Sequence, residues 1–147
     1  RIEQAHERDR AGLQSDKGAD RLARAGAREP DAEPLAERLI GGCRIEIRSA
    51  AYGSGDVGYV LDRQHWGHGY MTEATHALVD FGFGRLALHR IWAACDVDNH
   101  ASARVLEKLG MRREGHLRQS RRQQGEWRDS YLYAILEPDW RDRSPPA

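Results

Sequence analysis

The sequence predicts a mixed α/β domain: one layer of sheet with helices packed against it. Three observations carry this expectation. Apolar residues switch several times between strand-like and helix-like spacing, in the order β-β-α-β-α-β-β. Two glycines two apart stand where a strand runs into a helix. A second helix signals both of its ends.

The patterned part begins near Leu39. Residues 38–47 (RLIGGCRIEI) and 56–61 (DVGYVL) read as strands joined through the turn-prone YGSG at 52–55. The glycine junction RQHWGHGYMTEA follows at 63–74. Residues 70–86 then carry Met71, Ala74, Leu78, Phe81 and Arg85 at helical spacing, so that one face is mostly apolar. RIWAACDV at 90–97 is almost continuously apolar, which suits a strand covered on both faces. In the next helix Asn99 is the expected N-cap. Val105, Leu106 and Leu109 form its apolar stripe, and Gly110 stands where a left-handed cap belongs. Residues 112–120 and 126–136 read as two strands around a turn containing Gly125, with Tyr131, Tyr133 and Ile135 alternating against Leu132, Ala134 and Leu136.

Residues 1–36 differ in kind. They are dense in charge, Ala and Gly and short of Val, Ile and aromatics, so they bury little apolar area against their ordering cost. The expected organisation is a polar arm at 1–36, a domain at 37–141 and a flexible tail at 142–147. The chain begins at Arg1 rather than Met, and that start reads as truncated, processed or frameshifted.

Lys and Arg number 23 and so do Asp and Glu, a balance that argues against a dedicated nucleic-acid binder. No long apolar run suggests a membrane span, and no signal-peptide pattern appears. Cys43 and Cys95 lack CxxC partners and are expected as free buried thiols in a reducing cytoplasm.

Three readings compete for the paired glycines Gly67 and Gly69: a plain turn, a phosphate cradle, or a metal site using His65, His68 and His76. No Cys or acid completes a zinc set around the histidines, so no metal is expected. The opening N–H groups of a helix lack internal partners and carry partial positive charge. Glycines there let phosphate oxygens approach the backbone. The cradle explains both the glycines and their location. The loop is not a Walker A sequence, since Tyr70 and Met71 follow Gly69, and Thr72 stands where a dinucleotide fingerprint needs glycine.

What fits is Gln-x-x-Gly-x-Gly, from Gln64 to Gly69. This resembles the acetyl-CoA pyrophosphate loop of the GNAT superfamily of N-acetyltransferases. DNHASARVLEKLGM at 98–111 is similar to the family's second landmark, Asn-x-x-Ser before a Leu-Glu-Lys-Leu-Gly segment. Arg113-Glu114-Gly115 and GEWRD at 125–129 resemble the ending of the RimJ/RimL-like branch, which acetylates ribosomal-protein N-termini. The likeness runs from about Leu39 to Trp140.

The resemblance implies the acyl-CoA N-acyltransferase fold, with a truncated or atypical N-terminal portion, since the acceptor-wall elements are not legible in 1–36. It implies that strand 57–61 splays from strand 91–97, with the pantetheine in the gap and pairing near Val60 and Leu61. Gln64, Trp66, Gly67, His68, Gly69, Tyr70 and Met71 would then surround the pyrophosphate, chiefly through backbone N–H groups. Trp66 and Tyr70 serve equally well as packing beneath the loop. Leu106 stands where many members carry an acidic Tyr. The resemblance therefore assigns Ser102 to the sulfur and Asn99, also a helix cap, to the pantetheine end. Asp56 matches a position that is often Glu and is the candidate base, with a strand-edge role as its competitor. Glu46 and Glu126 are poorer candidates. The implied reaction is direct transfer from acetyl-CoA to a primary amine, on a protein N-terminus or a small molecule. The alternative is a CoA-binding module without catalysis, or a truncated GNAT chain that has lost its acceptor site. Tyr131 and Tyr133 suggest a homodimer through the last strands.

Overall fold

The computed structural model describes residues 38–143, so the expected arm and residues 144–147 lie outside the described residues. Within them the chain runs β1 (Gly41–Ser49), β2 (Ser54–Leu61), a 3-10 turn (Arg63–His65), α1 (Tyr70–Gly84), β3 (Arg90–Asp96), α2 (His100–Lys108), β4 (Arg112–Gln123), β5 (Glu126–Leu136) and α3 (Glu137–Arg141). The strand and helix order read from periodicity is reproduced, and α3, opened by Pro138, is added after it.

The five strands form one sheet in the order β1-β2-β3-β5-β4. β3 pairs in parallel with β2 only at Ser54↔Arg90, Gly55↔Ile91 and Asp56↔Trp92. On its other edge β3 runs antiparallel to β5 along its whole length, from Arg90↔Leu136 to Asp96↔Ser130. Beyond Asp56, then, β2 leaves the ladder while β3 continues.

The described residues divide into two compact units, one holding 38–42 with Val60–Trp66, the other Cys43–Tyr59 with 67–143. In the first, the Asp62 N–H donates to the Ile40 carbonyl (2.8 Å). Gly41 lies so close to Val60 that a Cβ would meet its carbonyl oxygen at 2.4 Å, so only glycine fits. The 3-10 turn is capped by Asp62, whose Oδ1 accepts from the Gln64 N–H (3.2 Å).

The second unit holds the core. Val57 of β2, Val79 and Phe83 of α1, Ile91, Ala93 and Cys95 of β3, Leu106 and Leu109 of α2, Tyr133 and Ile135 of β5 and Trp140 of α3 pack into one apolar cluster. Both helices thus cover one face of the sheet.

Four expectations change here. The buried stripe of α1 runs through Met71, Thr75, Val79, Gly82 and Phe83, while Phe81 is exposed. The helix is turned by Gly82, where a Cβ would stand 2.5 Å from Ile45 Cδ1 and 2.8 Å from Ile91 Cδ1. β3 is not covered on both faces: Ile91, Ala93 and Cys95 are buried but Ala94 is exposed. Cys43 is exposed rather than buried, on a β1 whose alternation is mostly polar. Finally, Tyr133 is buried with its hydroxyl donating to Glu107 Oε1 (3.2 Å), and Tyr131 packs against the core beneath the Arg113 guanidinium (4.4 Å). Both tyrosines thus pack on the core cluster.

The β4–β5 hairpin is longer than its charged sequence suggests. Gln124 (φ +50°) and Gly125 (φ +81°) make a two-residue turn of the tight left-handed kind that suits strand twist. A bulge interrupts β4 between Leu117 and Arg121. There Gln119 sits at φ +47°, with its N–H held by Asp129 Oδ1 (2.7 Å).

Candidate active site

The glycine loop meets α1 as its spacing requires. Gly67 (φ +80°) and Gly69 (φ +78°) both occupy the left-handed region, which side chains adopt only at a cost. A Cβ at either position would meet no atom within 4 Å, so both backbones face open space. Gly69 is the N-cap of α1 and has no side chain to close the helix end; its carbonyl accepts from the Glu73 N–H (3.0 Å). The fifteen-residue helix therefore presents an end with no side-chain cap beside an open backbone, the arrangement that favours an anion. Met71 is buried, so only its main chain faces that end. The rings of His68 and Tyr70 stack at 5.4 Å on the exposed side. His76 packs on Trp140 at 4.7 Å, pointing away from a shared metal site with His68. Among the described residues no three His, Cys, Asp or Glu side chains converge as metal ligands.

The start of α2 holds the second cluster. Asn99 is its N-cap, with Oδ1 accepting from the Ser102 N–H (3.1 Å). Leu106 is fully buried in the core, so the expected absence of an acid there is structural as well as chemical. The Ser102 hydroxyl lies 2.7 Å from the Tyr59 hydroxyl, which also stands 3.1 Å from the Ser102 carbonyl. Tyr59 comes from β2, past the point where the β2–β3 ladder ends. Burial pushes its phenol up to about 12, although the bond to Ser102 pulls the other way. Cys95 completes the group. Burial raises its thiol, and the Ser102 hydroxyl, in hydrogen-bonding reach, draws it part way back.

Tyr59 and the two arginines below are functional candidates that sequence reasoning passed over. The signal for Tyr59 was its alternation in DVGYVL. Positions 57 and 59 share a face, which puts a polar-tipped ring beside the core.

Asp56 does not have the free carboxylate expected of a base. It is 3% exposed, its Oδ2 accepts from Arg44 Nη1 (3.1 Å), and its Oδ1 accepts from Arg48 Nε. Arg44, Glu46 and Arg48 alternate along one face of β1, and Glu46 bridges both arginines at 3.5 and 3.3 Å. A carboxylate engaged on both oxygens by guanidinium groups ties β2 to β1. Glu126 lies exposed beside the hairpin turn.

In the other unit Val60 is 48% exposed, and the Leu61 carbonyl accepts from Trp66 Nε1 (2.9 Å). Trp66 is itself half exposed beneath the Arg63 guanidinium, 5.5 Å from its ring centre. Gln64 is exposed, with its N–H engaged by Asp62.

An open glycine end on a helix after a strand that leaves its parallel neighbour is the architecture that the motifs implied. The Acetyltransferase (GNAT) domain family matches residues 5–112 of the chain. The chain belongs to the GNAT acetyltransferase family. The match begins at residue 5, well upstream of Leu39, where the motif-level likeness begins. This GNAT chain is 43% identical to the probable N-acetyltransferase YjcK of Bacillus subtilis over 104 residues, which are 70% of this chain and 58% of that protein. The solved ribosomal-protein-S5-alanine acetyltransferase of Vibrio fischeri superposes with a TM-score of 0.67 at 34% identity, covering 71% of this chain and 57% of that one. Spermidine N-acetyltransferase of Vibrio cholerae gives a TM-score of 0.68 at 25% identity, covering 77% of this chain and 66% of that one. The GNAT chain spans 50–58% of the length of the curated relatives it matches. Among its described residues no helix is long and apolar enough to cross a membrane.

Proposed function

We propose that this GNAT chain transfers the acetyl group of acetyl-CoA to a primary amine by direct attack. The observation that carries the proposal is the end of the β2–β3 ladder at Asp56↔Trp92, followed by the uncapped, glycine-opened N-terminus of α1. The backbone at Gly67 to Met71 holds the pyrophosphate, with the His68 ring beside it. Asn99 and Ser102 serve the far end of the pantetheine. Val60, Leu61, Gln64 and Trp66 belong to the other unit, and their part in holding the cofactor rests on the sequence resemblance.

In the reaction the neutral amine nitrogen attacks the thioester carbonyl and a tetrahedral intermediate forms. Its collapse breaks the C–S bond, with the electron pair left on sulfur. Ser102 donates a hydrogen bond to the sulfur as its charge develops. The proton shed by the nitrogen balances the one the thiolate takes from water. Because Asp56 is engaged by Arg44 and Arg48, the amine loses its proton to solvent in this reading.

The similarity to an S5-alanine acetyltransferase supports a protein N-terminus as acceptor, and the similarity to a spermidine acetyltransferase supports a small polyamine. Thiol release from acetyl-CoA, measured against an Ala-initiated peptide, spermidine and free amino acids, tests the proposal. Turnover with at least one amine is expected. Tight acetyl-CoA binding with no turnover on any amine would favour a CoA-binding module instead.

A further inference from the structure

The hydroxyl of Ser102 has one proton and several takers, so something must decide where it points. We infer that Tyr59 is a positioning residue that aims the Ser102 proton at sulfur. The inference rests on the acetyl-transfer reading and adds a residue to it.

The two oxygens lie 2.7 Å apart, and either could donate. If Ser102 donated to Tyr59, its proton would be spent on a phenol and unavailable to a leaving group. The phenol proton has two acceptors to choose from, Ser102 Oγ at 2.7 Å and the Ser102 carbonyl at 3.1 Å. The nearer acceptor is Oγ. With the phenol donating, one lone pair of Ser102 Oγ is occupied and the serine proton is left for another acceptor. When a thioester is bound, its sulfur is that acceptor.

The packing fixes this direction. Tyr59 lies against the core cluster, so its ring cannot swing away, and Ser102 is held through its own N–H by Asn99. Burial keeps the phenol protonated throughout the neutral range, so it stays a donor while the reaction runs. No proton leaves Tyr59 in this scheme. It orients Ser102, and Ser102 alone faces the departing sulfur.

Tyr59→Phe keeps the ring and removes the hydroxyl. The expected result is a fall in kcat of about tenfold with KM for acetyl-CoA within about twofold. Ser102→Ala should cost at least as much, and the double variant no more than Ser102→Ala alone, because the second change removes a partner already lost. Full activity in Tyr59→Phe, or additive losses in the double variant, would overturn the inference. A second arm needs no turnover: 3-fluorotyrosine at position 59 is observed by fluorine NMR with and without Ser102→Ala. A shifted resonance supports the hydroxyl pair; an unmoved one overturns it. If the intact chain turns over no amine, the acetyl-transfer reading falls, and the fluorine result alone decides whether Tyr59 and Ser102 are coupled.

Discussion

Asp56 shows at the scale of one residue why matching a family position is not the same as matching its chemistry. The position is right for a base, yet Arg44 and Arg48 occupy both carboxylate oxygens in a site that is 3% exposed. As an anchor, Asp56 matters to stability, because its loss leaves the two guanidinium groups sharing the exposed Glu46 without the buried carboxylate. Asp56→Ala should therefore lower the unfolding free energy by about 2 kcal/mol in urea titration. If the variant still turns over amine, its pH–rate profile should keep the wild-type midpoint. A displaced or flattened profile with unchanged stability would return Asp56 to the role of base.

At the scale of elements, β3 is tied to the β4–β5 hairpin by charge as well as by its ladder. Asp96, at the end of β3, is 7% exposed and accepts from Arg128 Nε (2.9 Å) and Nη2 (2.8 Å), with Arg121 at 3.3 Å. The Arg128 guanidinium holds the Asp96 carboxyl well below the usual carboxylate range, against the opposing effect of burial. A depressed carboxylate stabilises the fold in full above its unfolded value of about 3.9, and the contribution drains away as pH falls through the folded value. Asp96→Asn should therefore melt well below the wild type at pH 7, with the gap narrowing as pH drops below about 4. A gap independent of pH would show that the ion pair contributes little. This link was not legible in the sequence, because Asp96 and Arg128 are 32 positions apart and the hairpin reads as a solvated charged run. The elements themselves were legible. A continuous apolar run marked β3 and alternation marked β5, while Asn99 and Gly110 marked the two ends of α2. What periodicity missed was rotation and exposure. A small residue, Gly82, turned α1 toward Ile45 and Ile91, and a strand that looked apolar throughout left Ala94 exposed.

For the whole molecule, the account depends on the glycine loop and the start of α2 serving one ligand. The loop was legible because a left-handed backbone at a helix entrance demands glycine, and two such demands two residues apart are rarely met by chance. The acceptor was not legible, since no motif in the sequence names the amine. Calorimetric titration with acetyl-CoA tests the central claim most directly, comparing the intact chain with Gly69→Glu and Gly69→Ala. Both substitutions carry the backbone strain of φ +78°, and neither meets an atom within 4 Å, so both should fold at a cost of about 1 kcal/mol. Only the glutamate places a negative charge at the mouth of the helix. The account predicts binding by the intact chain, weakened binding by Gly69→Ala and none by folded Gly69→Glu. Equal affinity in all three would contradict it, because the pyrophosphate would then lie somewhere other than the end of α1.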